Sequence, residues 1–314
     1  MKNLYDPQLK EQRIYAQGKE LASLMGKDKD EQGNRVYRWP EETELYVTTI
    51  KNPVLVTDVY KINKLKPTLR DTVFALYASP KKITVYDNTS LEFEQGKYNG
   101  VWGPSIDTLL FCRALNKEKK RLETAKKAIE IGSGSGFISK YALDNLSSLE
   151  EIMLIDLNPK AEECARNNIA DSRAKFFTGD GINFLEELNE KYDLIICNPP
   201  YIPRPESIDD NPYEGLNLLA YLIENAGKYL TDKGIFMTNI SSLSENIINE
   251  VIKKSDVTVR AIDSMKVPLK VYNVLNNKEW MDYLLNEKGL KKAKFNKNGY
   301  DYWHRINIVE IRKN

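Results

Sequence analysis

Between residues 126 and 240, short apolar runs of strand length alternate with helix-like stretches, and this alternation indicates the fold class of the chain. The apolar runs are Ala128–Ile131, Ile152–Ile155, Lys175–Thr178, Leu194–Cys197 and Ile235–Ile240. The helix-like stretches between them are Phe137–Leu146, Pro159–Ile169, Ile182–Leu188 and Leu216–Leu230. Such alternation predicts an α/β fold, in which a doubly wound, mostly parallel sheet is covered by helices on both faces.

Two further strand candidates lie near the end of the chain. They are Val257–Ile262 and Ile306–Ile311, and a helical stretch at Lys278–Glu287 separates them. We expect the two strands to form a terminal hairpin that carries a helical insertion near residues 278–290.

The first 95 residues have a different pattern. Residues 7–25 have the spacing of an amphipathic helix, and Asp87-Asn88 is a turn signal. The β-prone runs of this part are Leu45–Thr49, Val54–Val59, Thr72–Tyr77, Ile83–Tyr86 and Ser90–Glu94. The sequence therefore predicts a smaller N-terminal α+β lobe at residues 1–95, with an accessory or substrate role, and a main domain at residues 96–314.

Composition narrows the functional class. The 314 residues are 41% hydrophobic and 29% charged, as in globular proteins, and no run approaches the roughly 18 apolar residues of a membrane span. The N-terminus lacks the apolar segment of a secretory signal. Three widely separated cysteines and a single histidine, His304, indicate neither disulfides nor a metal site. These features predict a cytoplasmic protein without a metal and without a membrane partner.

The net charge of +1 is unevenly distributed. Residues 265–314 hold 11 Lys and Arg against 5 Asp and Glu, a balance of +6, whereas residues 101–264 hold 19 against 26, a balance of −7. A basic segment of this kind is either a solvated surface or an edge that faces an acidic partner or a nucleic-acid backbone. The sequence leaves both interpretations open.

The first strand of the alternating region runs directly into a glycine-rich loop, Glu130-Ile131-Gly132-Ser133-Gly134-Ser135-Gly136. Glycines let a backbone turn sharply and approach a ligand closely, and the helix that follows offers N–H donors. The spacing is G-x-G-x-G, and the third glycine of a dinucleotide fingerprint would fall on Phe137. The pattern therefore disfavours a pyrophosphate cofactor. A purely structural tight turn is the alternative.

Acids end the second and third strands of this region. Asp156 lies about 20 residues beyond the glycine loop, where a carboxylate can accept hydrogen bonds from two ribose hydroxyls. Its alternative role is a cap on the helix that starts at Pro159. Asp180 can accept from an adenine amino group, and a turn position explains it nearly as well.

The fourth strand continues into Asn198-Pro199-Pro200-Tyr201. Two successive prolines fix φ and remove two N–H donors, so the loop is rigid. The Asn198 side-chain oxygen and the Pro199 carbonyl can both accept from one –NH2 group, and the Tyr201 ring offers a face for a planar amide or base. The lone pair of an unreactive planar nitrogen can thereby be turned towards an electrophilic methyl group without a strong base. A bare turn is the alternative.

Together these residues resemble class I S-adenosylmethionine-dependent methyltransferases with an Asn-Pro-Pro-Tyr loop, in particular the release-factor glutamine methyltransferases and related N-methyltransferases. The resemblance covers roughly residues 98–262, about half of the chain. It includes the segment from Val101 to Leu110, which is similar to the Pro-x-x-Asp-Thr segment that opens the domain in archaeal and eukaryotic members. The resemblance implies a Rossmann-like sheet of seven strands, parallel except for one.

The resemblance also implies roles for individual residues. Asn198, Pro199, Pro200 and Tyr201 match the catalytic loop. Glu130 matches the acid that helps to hold the methionine end of S-adenosyl-L-methionine, which would leave as S-adenosyl-L-homocysteine. Asp156 matches the ribose acid. The full set expected to bind this cofactor is Glu130, Gly132, Ser133, Gly134, Gly136, Asp156, Leu157, Asp180, Gly181, Asn198, Pro104 and Thr108.

The expected activity is methylation of a planar nitrogen in a macromolecule, with a protein glutamine amide as the first choice. An adenine or guanine amino group of RNA or DNA is the alternative. Departures from the family concern the acceptor: bacterial members carry an all-helical N-terminal domain, whereas residues 45–94 here are β-prone. The insertion at Lys278–Glu287 and the basic C-terminus are also unfamiliar in that family.

Two other functional classes are disfavoured. A binding protein that keeps the fold without catalysis conflicts with the intact Asn198, Tyr201 and Asp156. An NAD-dependent oxidoreductase conflicts with Phe137 and with the paired prolines.

Overall fold

The computed structural model of the protein describes the main domain almost throughout and only parts of the N-terminal region. The described residues are 12–16, 37–38, 46–47, 54–55, 82–93, 97–98, 100–208, 214–269, 271, 274–275, 277–297 and 300–314.

Strands and helices alternate along the main domain. The strands are β1 (Gln12–Ala16), β2 (Tyr37–Arg38), β3 (Tyr46–Val47), β4 (Val54–Leu55), β5 (Lys82–Tyr86), β6 (Thr89–Phe93), β7 (Lys127–Ile131), β8 (Glu151–Asp156), β9 (Ala174–Thr178), β10 (Tyr192–Cys197), β11 (Leu230–Ser241), β12 (Val257–Pro268), β13 (Lys291–Lys297) and β14 (Tyr300–Lys313). The helices are α1 (Ile106–Glu118), α2 (Phe137–Asn145), α3 (Pro159–Asn168), α4 (Gly181–Leu188), α5 (Asn217–Tyr229), α6 (Glu245–Lys254) and α7 (Lys278–Asn286).

The main sheet follows the path β12-β14-β11-β10-β7-β8-β9, and β13 pairs with β14 beside this path. The strands from β7 to β11 pair in parallel, whereas β14 is antiparallel to both β11 and β12. The predicted seven strands, parallel except for one, are confirmed along the path. The eighth strand, β13, was not expected from the sequence.

Helices cover both faces of this sheet, as the alternation predicts. On one face, Ala128, Leu194 and Ile196 share a core with α1, α2 and α3. On the other face, Ile129 and Ile195 share a core with α4, α5 and α6. Because β7 and β10 are buried on both sides, apolar residues follow one another without alternation, at Ala128 and Ile129 in β7 and from Leu194 to Cys197 in β10. The predicted doubly wound α/β architecture is confirmed.

Helices α2, α3, α4, α5 and α7 lie where the helix-like stretches were found, within one or two residues. Two helices, α1 and α6, were not predicted as helices from the sequence. In α1, four apolar residues in a row, from Leu109 to Cys112, conceal the helical period because all four are buried under neighbouring elements.

A third apolar cluster lies outside the two layers and holds the insertion in place. Trp280 and Leu284 of α7 pack with Ile202, which follows the Asn-Pro-Pro-Tyr segment, and with Leu243 after β11. The indole Nε1 of Trp280 donates to the carbonyl oxygen of Pro203 at 2.8 Å. The insertion is therefore anchored on the chain that leaves the Asn-Pro-Pro-Tyr loop.

The predicted amphipathic helix at residues 7–25 is wrong over its described part. Residues 12–16 form β1, which pairs in parallel with β5 from Gln12↔Lys82 to Ala16↔Tyr86, and with β2. Pairing with a neighbouring strand overrides a local helical pattern, which is a weak determinant on its own. The strand predicted at Thr72–Tyr77 lies outside the described residues.

The β5–β6 hairpin forms as predicted, through a two-residue turn in which Asp87 adopts φ 49°. Its second strand contacts the main domain. The Thr89 hydroxyl donates to Asp144 of α2 at 2.7 Å, and the backbone of Glu92 exchanges two hydrogen bonds of 2.9 Å with the Asn168 side chain of α3. The hairpin is thus held against two helices of the main sheet.

An ion cluster joins α1 to β12. The Arg113 guanidinium donates to both oxygens of Asp263, at 2.7 and 3.1 Å, and Lys117 lies 2.8 Å from the same carboxylate. Burial alone would raise the pKa of Asp263, but the hydrogen bonds and charges of the two cations hold it below the ordinary value. This clamp fixes α1, the helix that leads to the site described below.

Within the described ranges, none of the helices has both the length and the apolarity needed to cross a bilayer.

We predict that Asp263→Asn lowers the free energy of unfolding by roughly 3 kcal/mol at neutral pH, because it removes the carboxylate that offsets the charge of the largely buried Arg113 guanidinium, which is 17% exposed. Lys117, at 49% exposed, should contribute little to this loss. The depressed pKa means that the wild-type contribution is present above the unfolded-state pKa of about 4 and is lost as the pH falls through the folded-state value. Urea unfolding of both proteins at pH 7 and pH 3 would measure this.

The matched control is Glu250→Gln, the same carboxylate-to-amide change in an exposed pair with Lys253. It should leave stability essentially unchanged. Equal effects of the two substitutions would contradict a structural role for the Asp263 cluster.

Candidate functional site

The carboxyl ends of four parallel strands meet at one edge of the sheet. Ile131, Ile155, Cys197 and Thr238 are at the same level, through the pairs Ile131↔Ile155, Cys197↔Ile131 and Cys197↔Thr238. In an open parallel sheet, ligands bind in the crevice outside these ends. The segments that the sequence singled out follow directly from them.

The glycine loop turns back on the end of β8. The N–H groups of Gly132 and Ser133 both donate to the Ile155 carbonyl, at 2.8 and 3.0 Å. Gly132, Gly134 and Gly136 have φ of 71°, 52° and 79°, values that residues with a Cβ rarely adopt. A Cβ at Gly136 would lie 2.9 Å from the Cβ of Ala165, whereas one at Gly132 would meet no atom within 4 Å. Gly136 is thus required by helix packing, and Gly132 leaves its surroundings open.

Asp156 ends β8 with a fixed orientation. Its Oδ2 accepts from Gly134 N at 2.8 Å, and its Oδ1 accepts from Asn158 N at 2.9 Å. The cap of α3 is Asn158, whose side chain accepts from Lys160 N. The alternative interpretation of Asp156 as the helix cap is therefore wrong. A carboxylate offers about four acceptor positions, so each oxygen can still accept from a ligand.

Glu130 lies beneath the glycine loop and is 1% exposed. Its Oε2 accepts from the N–H of Ser139 at 3.0 Å and from the Ser139 hydroxyl. Burial raises the pKa of Glu130 to about 8, the negative charge of Asp156 adds to this rise, and the two bonds from Ser139 oppose it. A cationic ligand next to this acid would reverse the shift.

Other predicted residues surround this edge with structural contacts of their own. Asp180 caps α4, its Oδ1 accepting from Ile182 N and Asn183 N at 2.9 Å each. Gly181 lies where a Cβ would come within 2.5 Å of Ile131. Thr108 accepts from Ser105 N at 3.1 Å in the capping box of α1, which follows Pro104. Ser133 is buried and Leu157 is 39% exposed.

The amide of Asn198 is held from two sides. Its Nδ2 donates to Oδ2 of Asp107 in α1 at 3.1 Å, and its Oδ1 accepts from Nδ2 of Asn239 in β11. The other oxygen of Asp107 accepts from the Ser105 hydroxyl. The amide plane of Asn198 is therefore set by a helix and a strand together.

Asp107 and Asn239 were not among the residues singled out for the site. Asp107 was visible only as part of the Pro-x-x-Asp-Thr resemblance. Asn239 has a sequence signal that could have been used: with Thr238, it interrupts the apolar run Ile235–Ile240 with two polar residues that are both fully buried.

The rest of the Asn-Pro-Pro-Tyr loop packs against β14. Pro199 is buried and Pro200 is half-buried. The rings of Tyr201 and His304 lie 5.8 Å apart at 36°, and Nδ1 of His304 is 2.9 Å from the Ser241 hydroxyl. Within the described ranges, no three His, Cys, Asp or Glu side chains converge as a metal site requires.

An acidic groove begins four residues beyond Tyr201. Its volume is about 510 Å³, and it is lined by Pro205, Ser207, Lys278, Glu279, Asp282, Tyr283, Asn286 and Glu287. Three carboxylates face a single cation, Lys278, which pairs with Asp282. The groove joins α7 to the segment that follows the Asn-Pro-Pro-Tyr loop.

Comparison with protein families matches residues 105–275 to the methyltransferase small domain. The match begins one residue before α1 and ends before α7, so the helix of the insertion lies outside it.

Three relatives indicate the range of activities near this sequence. Methyltransferase HEMK2 of Homo sapiens is 30% identical over 114 residues, 35% of this chain and 53% of the relative. A release factor glutamine methyltransferase of Fusobacterium nucleatum is 25% identical over 80% of this chain and 81% of the relative. A tRNA1(Val) (adenine(37)-N6)-methyltransferase of Yersinia enterocolitica is 34% identical over 37% of this chain and 49% of the relative. The chain thus spans about half the length of the human and Yersinia relatives.

We predict that Gly136→Ala destabilises the protein more than Gly132→Ala. Both place a side chain at positive φ, but only the first drives a Cβ into Ala165 of α3 and into Ile169, the residue that ends this helix. The extra cost should be about 1–3 kcal/mol, as for overpacking, and urea unfolding of the two variants would measure it. Equal losses would show that the start of α2 is not packed tightly on α3.

Proposed function

The chain belongs to the methyltransferase small domain family and has the class I methyltransferase fold, and we propose that it transfers a methyl group from S-adenosylmethionine to the side-chain amide nitrogen of a protein glutamine. The observation that carries this proposal is the fixed amide of Asn198, at the strand end beside the glycine loop and Asp156. Such a site positions a planar nitrogen rather than deprotonating it.

The residues at the strand ends fit the methyl donor. Asp156 would accept from the ribose hydroxyls, with Leu157 beside it, and Glu130 would meet the cationic methionine end. The remaining donor contacts are assigned to Gly132, Ser133, Gly134, Gly136, Asp180, Gly181, Pro104, Thr108 and Asn198. Burial raises the pKa of both Glu130 and Asp156. A cationic ligand would offset the cost of burying these carboxylates, whereas the anionic pyrophosphate of a dinucleotide would add to it.

When bound, S-adenosylmethionine supplies an electrophilic methyl group. The chain's part is to present the acceptor. Asn198 Oδ1 has two lone pairs, of which Asn239 uses one, and the other can accept an N–H of the target. The Pro199 carbonyl would accept the second N–H, and Tyr201 would cover the flat face of the amide. The nitrogen lone pair would then point out of the amide plane towards the methyl carbon. The new N–C bond would replace the methyl–sulfur bond of the sulfonium, whose electron pair stays on the sulfur of the leaving S-adenosylhomocysteine, and the displaced N–H proton would pass to solvent.

A protein acceptor is favoured over a nucleic acid by the acidic groove. The groove lies next to the segment that follows Tyr201, and its three carboxylates outweigh Lys278, so its net negative charge would repel a phosphate backbone. The release factor glutamine methyltransferase, which aligns over most of this chain, supports the same choice.

The second candidate is methylation of a base amino group in RNA or DNA. It is favoured by the tRNA adenine methyltransferase among the relatives and by the lysines next to α7, of which Lys291 and Lys292 are exposed and Lys288 is half-buried. These lysines belong to the basic segment at residues 265–314, along which a phosphate backbone could approach.

The same proposal assigns residues 96–314 to catalysis and residues 1–95 to an accessory or substrate role. The contacts of the β5–β6 hairpin with α2 and α3 support a lobe that is attached to the catalytic domain. A cytoplasmic location remains a prediction from composition.

We predict that Asp156→Ala weakens S-adenosylmethionine binding by about 1.5–3 kcal/mol, the usual worth of charge-assisted hydrogen bonds. Isothermal titration calorimetry would measure this, with Asp171→Ala, an acid at a remote loop that pairs with Arg173, as the control. Unchanged affinity of the Asp156 variant, or tighter binding of NAD, would contradict the donor assignment.

We predict that the affinity for S-adenosylhomocysteine rises with pH below about 8. The Glu130 carboxyl, whose pKa is about 8 without ligand, must lose its proton to pair with an ammonium group. Affinity should therefore increase by up to about tenfold per pH unit and level off above pH 8. Calorimetry from pH 6 to 9 tests this, and the rise should be absent in Glu130→Gln. A rise that persists in the variant would assign the titration to another group.

The acceptor is identified by incubating the protein with radiolabelled S-adenosylmethionine and a cell lysate. We expect label that protease releases and nuclease does not. Asn198→Ala, which removes the acceptor of the target N–H, should label roughly two to three orders of magnitude more slowly. Lys291→Glu with Lys292→Glu should change the rate only modestly. Label released by ribonuclease or deoxyribonuclease, together with activity lost in the lysine variant, would instead establish the second candidate.

A further inference from the structure

Asn239 is a buried polar residue that neither the fold nor the expected site explains. It lies in β11 and is 0% exposed, on the face that also carries Ile235 and Met237. A primary amide in such a place is costly unless its polar atoms are paired. Its Nδ2 donates to Asn198, whereas its Oδ1 has no partner among the described residues. The side chain is therefore committed to one contact.

The direction of that contact is fixed by a carboxylate. Asp107 can only accept when ionised, so the atom of Asn198 that meets it must be the amide nitrogen. The other atom of Asn198 is then oxygen, and the atom of Asn239 that meets it must be a nitrogen. The chain of hydrogen bonds from Asn239 through Asn198 to Asp107 thus determines which side-chain atom is oxygen and which is nitrogen in both asparagines.

The strand register explains why Asn239, and not the neighbouring Thr238, makes this contact. Cys197 pairs with Thr238, so the residues that follow, Asn198 and Asn239, are neighbours. Side chains alternate between faces along a strand, so Thr238 projects to the opposite side. Thr238 is also 0% exposed, and its Oγ1 also lacks a partner among the described residues. It provides a matched control with the same burial and no contact to the catalytic amide.

We propose that Asn239 is a positioning residue for the methyl acceptor. By occupying one lone pair of Asn198 Oδ1, it leaves the second directed at the N–H of the target nitrogen. This inference rests on the proposed role of Asn198, but not on whether the nitrogen belongs to a glutamine or to a base. Neither Asn239 nor its contact was among the residues that the sequence assigned to the site.

The test is Asn239→Asp, which keeps the shape of the side chain and makes its hydrogen bond to Asn198 Oδ1 depend on pH. A protonated carboxyl can donate to Asn198 Oδ1, and an ionised one cannot. Total incorporation from radiolabelled S-adenosylmethionine into a cell lysate is measured from pH 6 to pH 8.5, and each rate is divided by the wild-type rate. We expect this ratio to fall about tenfold or more as the pH rises, whereas Asn239→Ala should give a pH-independent loss of about ten- to a hundredfold.

Thr238→Val should keep a ratio near one throughout. Affinity for S-adenosylhomocysteine, measured by calorimetry, should stay within about twofold for all three variants. In an Asn198→Ala background, Asn239→Ala should add no further loss, because residues that act through one another are not additive. A flat pH ratio, a parallel loss in Thr238→Val, or additive losses would overturn the proposal.

A measurement that needs no methyl acceptor tests the role of Asn239 independently of the proposed function. In 15N-labelled protein, the side-chain amide signals of Asn198 should shift with the carboxyl titration in Asn239→Asp and be constant in Thr238→Val. Digestion of the labelled lysate with nuclease or protease then tests the proposed acceptor independently. Insolubility of both Asn239 variants while Thr238→Val folds would assign Asn239 to the fold and contradict its positioning role.

Discussion

The parallel pairing of β10 with β7 on one side and β11 on the other determines the geometry of everything at the sheet edge. It aligns Ile131, Cys197 and Thr238, so that the residues that follow these three in the chain lie close together. Alternation along the strands then puts Glu130, Asn198 and Asn239 on one face. A shift of either pairing by one residue would turn its polar group to the opposite core. The chemistry of the site is thus a property of strand register.

The site gathers three acids at this edge, and their internal contacts are hydrogen bonds from uncharged groups. Glu130, Asp156 and Asp107 accept from backbone N–H, hydroxyl and amide donors. Such donors orient a carboxylate but only partly offset its burial, as the raised pKa of Glu130 indicates. Two such acids beside a glycine turn therefore prepare the edge for a ligand that brings positive charge with it.

Much of the fold could be read from the sequence because the signals are local. Each central strand is a short apolar run, and the helices between them carry an uninterrupted period. The helix α1 was missed because a fully buried apolar run conceals its helical period. The helix expected at residues 7–25 failed where β1 pairs with β5, since pairing partners distant in the chain leave no local trace.

The same distinction holds for the site. Residues that belong to contiguous motifs, from Glu130 to Gly136 and from Asn198 to Tyr201, were found together because they are adjacent in sequence. Asp107 and Asn239 reach Asn198 from 91 and 41 residues away, so only the tertiary structure brings them together. The roles of Asp180 and Gly181 illustrate the converse. Their local positions have sufficient structural reasons, a helix cap and a close approach to Ile131, whatever they contribute to a ligand.

The anchoring of α7 has a consequence for how such an enzyme can diversify. The helix lies beyond the family match, between β12 and β13 in the chain, yet the indole of its Trp280 donates a hydrogen bond to the Pro203 carbonyl, two residues past Tyr201. An inserted element of this kind can be lengthened, recharged or replaced during evolution without disturbing the glycine loop or Asp156. The glycine loop and Asp156 can therefore stay constant while the surface around α7 changes to suit a different partner.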